Sequence, residues 1–381
     1  MKFLLSAGEA SGDTYGAQLI DALRQLAPGA TFFGMGSEKM RAAGCELLID
    51  AREVAVVGLA EVVTHLPGIF ARFNRFVAEA QTCQPDAAVL IDFPEFNLRL
   101  ARKLHRLGIP VFYFVSPQIW AWRTGRVKQI KKYVREMIVI FPFEQEFYRK
   151  HGVEVSYVGH PLAHAEAPVI SRTEFAGRYG LDATKQWIGL LPGSRRKEVR
   201  LNLPTMLEAA QLLQNKDAYE FVLPVASTLD QDWMRQRIAA LAPNVPIYLT
   251  DNSRLTLPHC RAAVVASGTA TVETALVGTP FVVVYRLAAV TWTLGRPLVQ
   301  LDTFAMPNLI AGRKIVTELI QQNFTAANIL HELAAIIPEG PRRHQMLVDL
   351  AEVRDRLRAS GDGQPPAVRA AQKIISSLAL R

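Results

Sequence analysis

The sequence predicts an α/β protein built of two Rossmann-like, doubly wound domains that face each other across a cleft. Short apolar runs alternate with helical stretches along most of the chain, which is typical of βαβ units and parallel sheets. Two glycine-containing turns join a strand to a helix, at Ala7–Asp13 and at Ala266–Thr269, near opposite ends of the sequence. A length of 381 residues fits two domains of ordinary size.

The predicted division is a first domain over 1–165, a second over 166–341, and a helical tail over 342–381 that packs back on the first domain. The hinge is expected at His160–Val169, which contains two prolines. In the first domain the predicted strands are Phe3–Ser6, Thr31–Gly34, Ala87–Ile91, Val111–Val115, Met137–Phe141 and Val155–Val158. In the second domain they are Trp187–Leu191, Glu220–Pro224, Pro246–Leu249, Ala262–Ala266 and Thr279–Val284.

Composition narrows the class of protein. Half of the residues are hydrophobic and 20% are charged, so the chain can bury full cores. The three cysteines are far apart and fit neither a disulfide framework nor a zinc site, which favours a cytoplasmic protein. An apolar strand begins within three residues of Met1, so we expect no signal peptide. No uninterrupted apolar run is long enough to predict a transmembrane helix.

Both glycine turns are candidate phosphate sites, because small residues let an anion approach the backbone N–H groups at a helix N-terminus. The second turn offers Ser267, Gly268 and Thr269. Glu273 lies one turn into the following helix, where it could bind a ribose. A capping box would need Ser or Thr three residues before Glu273, and Ala270 stands there, so the spacing favours ligand binding.

A third turn follows a predicted strand with the sequence Gly193-Ser194-Arg195. An arginine at such a turn is a candidate diphosphate clamp, since a guanidinium group binds phosphate in a bidentate way. The alternative is a turn whose arginine faces solvent.

Asp92 follows the predicted strand Ala87–Ile91, at the edge of the sheet where α/β proteins bind ligands. Its partly apolar neighbours could raise its pKa, which makes it a candidate general base. The alternative is that Asp92 or Asn97 caps a helix that begins near Leu98, and Asn97 fits that cap better.

An aromatic stripe recurs at helical spacing between Val56 and Val77 and includes Leu66, Ile69, Phe70, Phe73 and Phe76. A membrane-touching amphipathic helix has this pattern. The alternative is an ordinary domain helix that buries the stripe, with a break at Pro67-Gly68.

The formal net charge of +8 favours an anionic partner, such as nucleic acid, a lipid surface or a phosphorylated substrate. Basic residues line one predicted helix face at Lys128, Lys131, Lys132 and Arg135, close to two tryptophans. This face could bind anionic headgroups, nucleic acid or a sugar diphosphate, or it could simply be solvated.

Seven motifs together resemble the lipid-A-disaccharide synthase family of glycosyltransferases, which has the GT-B architecture. In order along the chain they are Ala7–Asp13, Ser116–Arg123, Phe141–Glu144, Val158–Pro161, Leu191–Arg195, Ala266–Thr271 and Pro307–Gly312. The resemblance implies transfer of a 2,3-diacylglucosamine unit from its UDP derivative to 2,3-diacylglucosamine 1-phosphate. The implied product is a β-1,6-linked lipid A disaccharide 1-phosphate, with inversion at the anomeric carbon and release of UDP.

The resemblance also implies roles for individual residues. Asp92 matches the essential aspartate proposed as the base, and Glu95 stands where some relatives carry aspartate. The acceptor is expected near Glu9, Ser11 and Gly12. The residues expected to bind the nucleotide sugar are Gly193, Ser194, Arg195, Ser267, Gly268, Thr269, Glu273 and Asn308.

The partners implied are the two acylated substrates and an anionic membrane surface, so the protein is expected in the cytoplasm at the inner membrane. No cofactor, metal or nucleic acid is expected, and the chain could form a homodimer. In this context the aromatic stripe becomes a candidate for acyl-chain or membrane contact. Two alternatives stay open: an enzyme of the UDP-N-acetylglucosamine 2-epimerase type, and a basic binding protein without catalytic activity.

Overall fold

The computed structural model describes residues 1–53, 59–122, 124–165, 169–214, 219–287, 303–359 and 363–379. The chain divides into two compact units. The first combines Met1–His164 with Leu357–Arg381, and the second is Ala165–Arg356.

The first unit is built on a seven-stranded parallel sheet. Its strands are β1 (Lys2–Ala7), β2 (Thr31–Gly36), β3 (Cys45–Asp50), β4 (Ala87–Ile91), β5 (Val111–Phe114), β6 (Glu136–Val139) and β7 (Val155–Tyr157). Its helices up to His164 are α1 (Ala10–Leu26), α2 (Glu38–Ala42), α3 (Leu59–Cys83), α4 (Pro94–Arg106), α5 (Ile119–Trp122), α6 (Val127–Tyr133), α7 (Pro142–Lys150) and α8 (Pro161–His164). The strand order is β3-β2-β1-β4-β5-β6-β7.

The second unit is built on a six-stranded parallel sheet. Its strands are β8 (Gln186–Leu191), β9 (Tyr219–Pro224), β10 (Ile247–Thr250), β11 (Ala262–Ala266), β12 (Phe281–Tyr285) and β13 (Glu318–Ile320). Its described helices are α9 (Arg172–Tyr179), α10 (Arg196–Gln214), α11 (Gln231–Leu241), α12 (Ser253–Thr256), α13 (Thr269–Val277), α14 (Met306–Ala311), α15 (Ala326–Ile336) and α16 (Pro341–Leu357). The strand order is β10-β9-β8-β11-β12-β13.

The central strands are apolar on both faces because helices cover both sides of each sheet. Every residue of β4 and of β11 is buried. In the first unit β1 lies between β2 and β4, with Leu4 opposite Phe33 on one side and Ala88 on the other. The prediction of two doubly wound α/β domains is therefore confirmed.

Each sheet reverses its winding direction at one place. In the first sheet, successive strands of the chain are added outward from β1 on one side and outward from β4 on the other. In the second sheet, β8 and β11 form the equivalent pair. The crevice at the carboxyl ends of such a strand pair is where open α/β sheets bind ligands. The two pairs therefore mark the place to look for a site in each unit.

The end of the chain differs from the predicted tail. The helix α16 belongs to the second unit up to Arg356, since Arg343 on it donates hydrogen bonds to the carbonyl oxygens of Arg261 and Ile336. The last helix, α17 (Pro366–Ala379), belongs to the first unit and packs on α1. The change of unit thus falls at Leu357 and not at residue 342.

Candidate functional site

In the first unit the predicted acceptor-binding and catalytic residues lie at the carboxyl ends of β1 and β4, where the winding reverses. Glu9, Ser11 and Gly12 follow β1, and Asp92 follows β4. These two strands are hydrogen-bonded neighbours, with Ala7 opposite Ile91. The fold therefore brings these four residues to one edge of the sheet.

Asp92 ends β4 in a sharp turn. Its φ is +46° and that of Phe93 is +48°, so both residues adopt the left-handed conformation. The helix α4 then begins at Pro94, which suits the first position of a helix because its missing N–H would have no partner there. The expected cap at Asn97 is wrong, because Asn97 lies inside the first turn of α4 and its side chain turns back to the strands.

Burial raises the pKa of the Asp92 carboxyl to about 6, and the negative charge of Glu9 adds to the shift. A hydrogen bond from the backbone N–H of Phe93 opposes it in part. A carboxylate with a pKa in this range is ionised at neutral pH and still basic enough to accept a proton in a reaction. Asp92 therefore has the electrostatic properties of a general base.

The loop after β1 is held against the Asp92 turn by close packing. A Cβ on Gly8 would lie 2.3 Å from the ring of Phe93, so only glycine fits there. Glu9 precedes α1 and is exposed together with Ser11, whereas Gly12 is buried. The next carboxylate, Asp13, accepts hydrogen bonds from the backbone N–H groups of Ser37, Lys39 and Met40 and so serves the fold.

Glu95 forms an ion pair with Arg126, whose guanidinium lies 2.7 and 3.0 Å from the two carboxylate oxygens. Glu95 is on α4 just beyond Asp92, and Arg126 precedes α6. The pair therefore links the Asp92 turn to the segment that follows the tryptophan motif.

In the second unit the turn Gly193-Ser194-Arg195 follows β8 and leads into α10. Gly193 has a φ of +124°, and a Cβ there would meet the Glu198 side chain at 2.7 Å. The Glu198 carboxylate accepts the backbone N–H groups of Ser194 (3.0 Å) and Arg195 (3.3 Å) and pairs with the Arg195 guanidinium (3.3 Å). The turn thus offers two N–H donors and a guanidinium to a single anionic group.

The second glycine turn follows β11, the neighbour of β8. Ser267, Gly268 and Thr269 lead into α13, and Gly268 has a φ of +146° with open space where a Cβ would stand. Glu273, on the same helix, accepts a hydrogen bond of 2.6 Å from Ser253 on α12. The strand order therefore places both predicted phosphate turns at the winding reversal of this sheet.

Asn308 does not join these residues as a free ligand group. It is buried, and its Oδ1 accepts the backbone N–H groups of Ile315 and Val316. Its Nδ2 donates to Glu318 at 2.7 Å and to the Val316 carbonyl oxygen at 3.0 Å. The amide of Asn308 therefore holds the segment between α14 and β13, and nucleotide-sugar binding by Asn308 stays a prediction.

The aromatic stripe is divided by the fold. The helix α3 runs through Pro67-Gly68 without the expected break. Phe76 is fully buried and Phe73 nearly so, and both rings pack on Phe96, so membrane contact is the wrong assignment for them. Phe70 is 49% exposed. The side chains of Leu66 and Ile69 lie outside the described part of the structure.

The predicted basic face loses one member. The helix α6 ends at Tyr133, and Arg135 turns away to donate hydrogen bonds to the hydroxyl and carbonyl oxygens of Ser377 on α17. Lys128, Lys131 and Lys132 remain exposed. Lys128 and Lys131 line a surface cavity of about 430 Å³.

The sequence did not single out three side chains that lie beside candidate site residues. They are Ser6 and Tyr113 in the first unit and Glu198 in the second. Ser6 stands next to the N-terminal glycine turn and Glu198 three residues after Arg195, so both had a signal in their position. Tyr113 is one polar residue within a buried apolar strand, and nothing in the sequence distinguishes it from a core residue.

The fold is shared with UDP-sugar enzymes and glycosyltransferases. The UDP co-structure of MnaA from S. aureus has a TM-score of 0.66 at 12% identity, over 100% of this chain and 97% of that one. The glycosyltransferase of kitacinnamycin has a TM-score of 0.63 at 16% identity, over 98% of both chains. At such identities the likeness defines the class of fold, the GT-B type with two Rossmann-like domains.

Sequence comparison defines the family. The model of the family described as lipid-A-disaccharide synthetase matches residues 3–366. The lipid-A-disaccharide synthase of Koribacter versatilis is 56% identical over 99% of this chain and 98% of that protein. That of Acidobacterium capsulatum is 49% identical over 94% of this chain and 92% of that protein. The chain belongs to the lipid-A-disaccharide synthetase family and is a UDP-sugar-dependent glycosyltransferase.

Within the described residues, none of the helices combines the length and the apolar character that crossing a bilayer requires.

Proposed function

We propose that this enzyme transfers a 2,3-diacylglucosamine unit from its UDP derivative to 2,3-diacylglucosamine 1-phosphate. The products are the β-1,6-linked disaccharide 1-phosphate and UDP. Family membership supports the lipid A context. The observation that carries the mechanism is Asp92, a carboxyl with a pKa raised to about 6 at the winding reversal of the first sheet.

In the proposed reaction Asp92 acts as the general base. It accepts the proton of the acceptor hydroxyl while that oxygen attacks the anomeric carbon of the donor. The bond from this carbon to the diphosphate breaks in the same step, so an α-linked donor gives a β-linked product. Glu9, Ser11 and Gly12 border the acceptor, which places the charge of Glu9 near the base that it influences.

The second unit is proposed to bind the leaving diphosphate. The backbone N–H groups of Ser194 and Arg195 now hold the Glu198 carboxylate, and we propose that phosphate oxygens take its place as ligand to Arg195. The N-terminus of α13 supplies a second anion-binding turn with Ser267, Gly268 and Thr269. The Glu273 carboxylate accepts hydrogen bonds from the ribose hydroxyls. For this it gives up the hydrogen bond that it now accepts from the Ser253 hydroxyl.

The proposed reaction requires both sugars. We expect purified enzyme to release UDP from UDP-2,3-diacylglucosamine only when 2,3-diacylglucosamine 1-phosphate is present. UDP release without acceptor would instead indicate a hydrolase or an enzyme of the epimerase type. The absence of release under either condition would contradict the proposal altogether.

The acylated substrates also imply contact with a membrane, and we propose that Phe70 and the exposed lysines of α6 provide it. Phe70 presents an apolar ring to solvent, and Lys128, Lys131 and Lys132 present positive charge that anionic headgroups attract. The enzyme would then take both substrates from the lipid surface on which they reside.

Replacement of Phe70 by serine is expected to weaken binding to liposomes that contain anionic lipid and to lower activity on long-chain substrates. The matched control is Leu212→Ser, which removes another exposed apolar side chain (44% exposed) from α10 of the second unit. Liposome co-sedimentation of the two variants measures the effect. Equal binding by Phe70→Ser and wild type would remove Phe70 from the membrane surface.

A further inference from the structure

An unusual backbone conformation sets the direction of the Asp92 side chain. Residues other than glycine rarely hold a positive φ, and Asp92 and Phe93 do so in succession, at +46° and +48°. Such a conformation persists only where its surroundings impose it. The direction in which the Asp92 carboxylate points follows from this backbone, so whatever imposes the turn also aims the carboxylate.

Two buried side chains donate hydrogen bonds to the same backbone oxygen of the Asp92 turn. The carbonyl oxygen of Asp92 accepts a hydrogen bond of 2.6 Å from the hydroxyl of Tyr113 and one of 2.8 Å from Nδ2 of Asn97. The backbone N–H of Asp92 donates to the carbonyl oxygen of Phe114 at 3.3 Å. Both peptide groups that flank the Asp92 side chain are therefore fixed.

Asn97 and Tyr113 are themselves fixed by their surroundings. Asn97 is fully buried, and its Oδ1 accepts a hydrogen bond of 2.6 Å from the hydroxyl of Ser6, which sets the orientation of the amide. The amide nitrogen also reaches the carbonyl oxygens of Ser6 and Ile91, both at 3.2 Å. Burial keeps the pKa of Tyr113 well above its ordinary value, so its hydroxyl stays a donor at every pH of interest.

These side chains come from three directions around β4. Ser6 is on β1 and Tyr113 on β5, the two strands that flank β4, and Asn97 is on the helix that follows it. A core tyrosine can satisfy its hydroxyl at many carbonyl groups. Here the hydroxyl and the amide converge on the carbonyl oxygen of the residue that is the candidate base.

We propose that Tyr113 and Asn97 are positioning residues that aim the Asp92 carboxylate by holding its backbone in the left-handed turn, with Ser6 orienting the Asn97 amide. The inference rests on the proposed function, since it takes Asp92 to be the base. Neither residue touches a reacting atom. Their effect reaches the reaction only through the position of Asp92.

The test compares two buried tyrosines of the same unit. Tyr113→Phe removes only the hydroxyl that donates to Asp92. Tyr148→Phe removes a hydroxyl that shares a hydrogen bond of 2.8 Å with Ser116, so it is a chemically matched control. For both variants and for wild type, kcat, the KM of each substrate and the pH profile are measured well below the unfolding transition, and Tm is measured separately by thermal unfolding.

We expect Tyr113→Phe to lower kcat by about three- to tenfold, the range that one lost hydrogen bond accounts for, with the KM of the donor unchanged. The acidic limb of the pH profile should move to lower pH, because a less restrained Asp92 carboxylate regains contact with water. Tyr148→Phe should lower Tm to a similar degree and leave kcat and the acidic limb of the pH profile as in wild type. Ser6→Ala removes only the hydrogen bond that orients the Asn97 amide. It should lower kcat and shift the acidic limb of the pH profile in the same direction as Tyr113→Phe, but by less.

Failure of the inference is distinguishable from failure of the proposed function. If Asp92→Asn is inactive while Tyr113→Phe and Ser6→Ala match Tyr148→Phe in kcat and pH profile, Asp92 is the base and the positioning role is refuted. If folded Asp92→Asn keeps wild-type activity, Asp92 is not the base and the inference falls with that assignment. The proposed function itself fails only if wild type shows no acceptor-dependent release of UDP. If Tyr113→Phe does not fold, Ser6→Ala provides the test. A Ser6→Ala variant whose kcat and acidic limb of the pH profile equal those of wild type would overturn the inference.

Discussion

Replacing Asp92 by asparagine is expected to lower kcat by about 10³-fold, within the range that general-base catalysis contributes. The amide cannot accept the proton of the acceptor hydroxyl, and no other carboxylate follows β4 at the same position. The KM of the donor should stay close to the wild-type value, because Asp92 belongs to the first unit and the predicted donor turns belong to the second. Steady-state kinetics with both acylated substrates measure the effect.

The same variant is expected to fold normally. Asparagine tolerates the left-handed conformation at least as well as aspartate, so a φ of +46° is no obstacle. The pKa of Asp92 is raised to about 6 in the folded protein, so its ionisation opposes folding at pH values above the unfolded pKa. At pH 8 the Tm of Asp92→Asn should therefore equal or exceed that of wild type. A folded variant with wild-type kcat would exclude Asp92 as the base.

Replacing Arg195 by alanine is expected to lower kcat/KM for the donor by roughly 100-fold, with part of the loss in kcat, because positive charge at the departing diphosphate acts most strongly in the transition state. The side chain is 73% exposed and pairs with Glu198, which follows it by three residues. Its removal should therefore cost little stability. Lysine should restore only part of the activity, since it lacks the bidentate geometry of guanidinium.

Arg196→Ala is the matched control for this prediction. Arg196 is the next residue along the chain, and its guanidinium lies 5.2 Å from the centre of the Trp233 ring, outside the Gly193–Arg195 turn. The control removes one positive charge from the same helix end without touching the turn. Equal losses in the two variants would show that only net charge matters there, and no loss in Arg195→Ala would remove it from the diphosphate site.

The sequence predicts the central part of each sheet because its strands are short, wholly apolar and separated by helical stretches. It misses β3 and β13, which lie at one edge of each sheet, although it predicts β7 and β10 at the opposite edges. Edge strands are covered less completely, and in β3 only Cys45 and Ile49 are buried. Such strands lack the continuous apolar run that distinguishes a central strand from a loop.

The phosphate turns are predictable because glycine at a strand end is a local signal. The surroundings of Asn308 and Phe76 are not predictable in this way, because their partners lie on other elements of the fold: Asn308 bonds to Glu318 on β13, and Phe76 packs on Phe96 of α4. A single polar side chain gives no sign in the sequence that it will bond, as Asn308 does, to Glu318 and to a nearby backbone. A helical stripe likewise does not show that Phe76 will meet Phe96 of another helix.

Asp92 must be ionised to act as the base, so the pH dependence of kcat/KM for the acceptor reports on that role. Below a pKa near 6 the rate should fall about tenfold per pH unit. The acceptor's own phosphate also titrates at about pH 6, so the profile of Glu9→Gln serves as the reference. Removing the Glu9 charge lowers the pKa of Asp92. The pKa of the free acceptor, which is the one that kcat/KM reports, does not depend on the enzyme variant.

We expect an acidic limb near pH 6 in wild type that moves to lower pH in Glu9→Gln. A limb that stays in place in Glu9→Gln, or a rate that does not fall below pH 6, would contradict the assignment of Asp92 as the base.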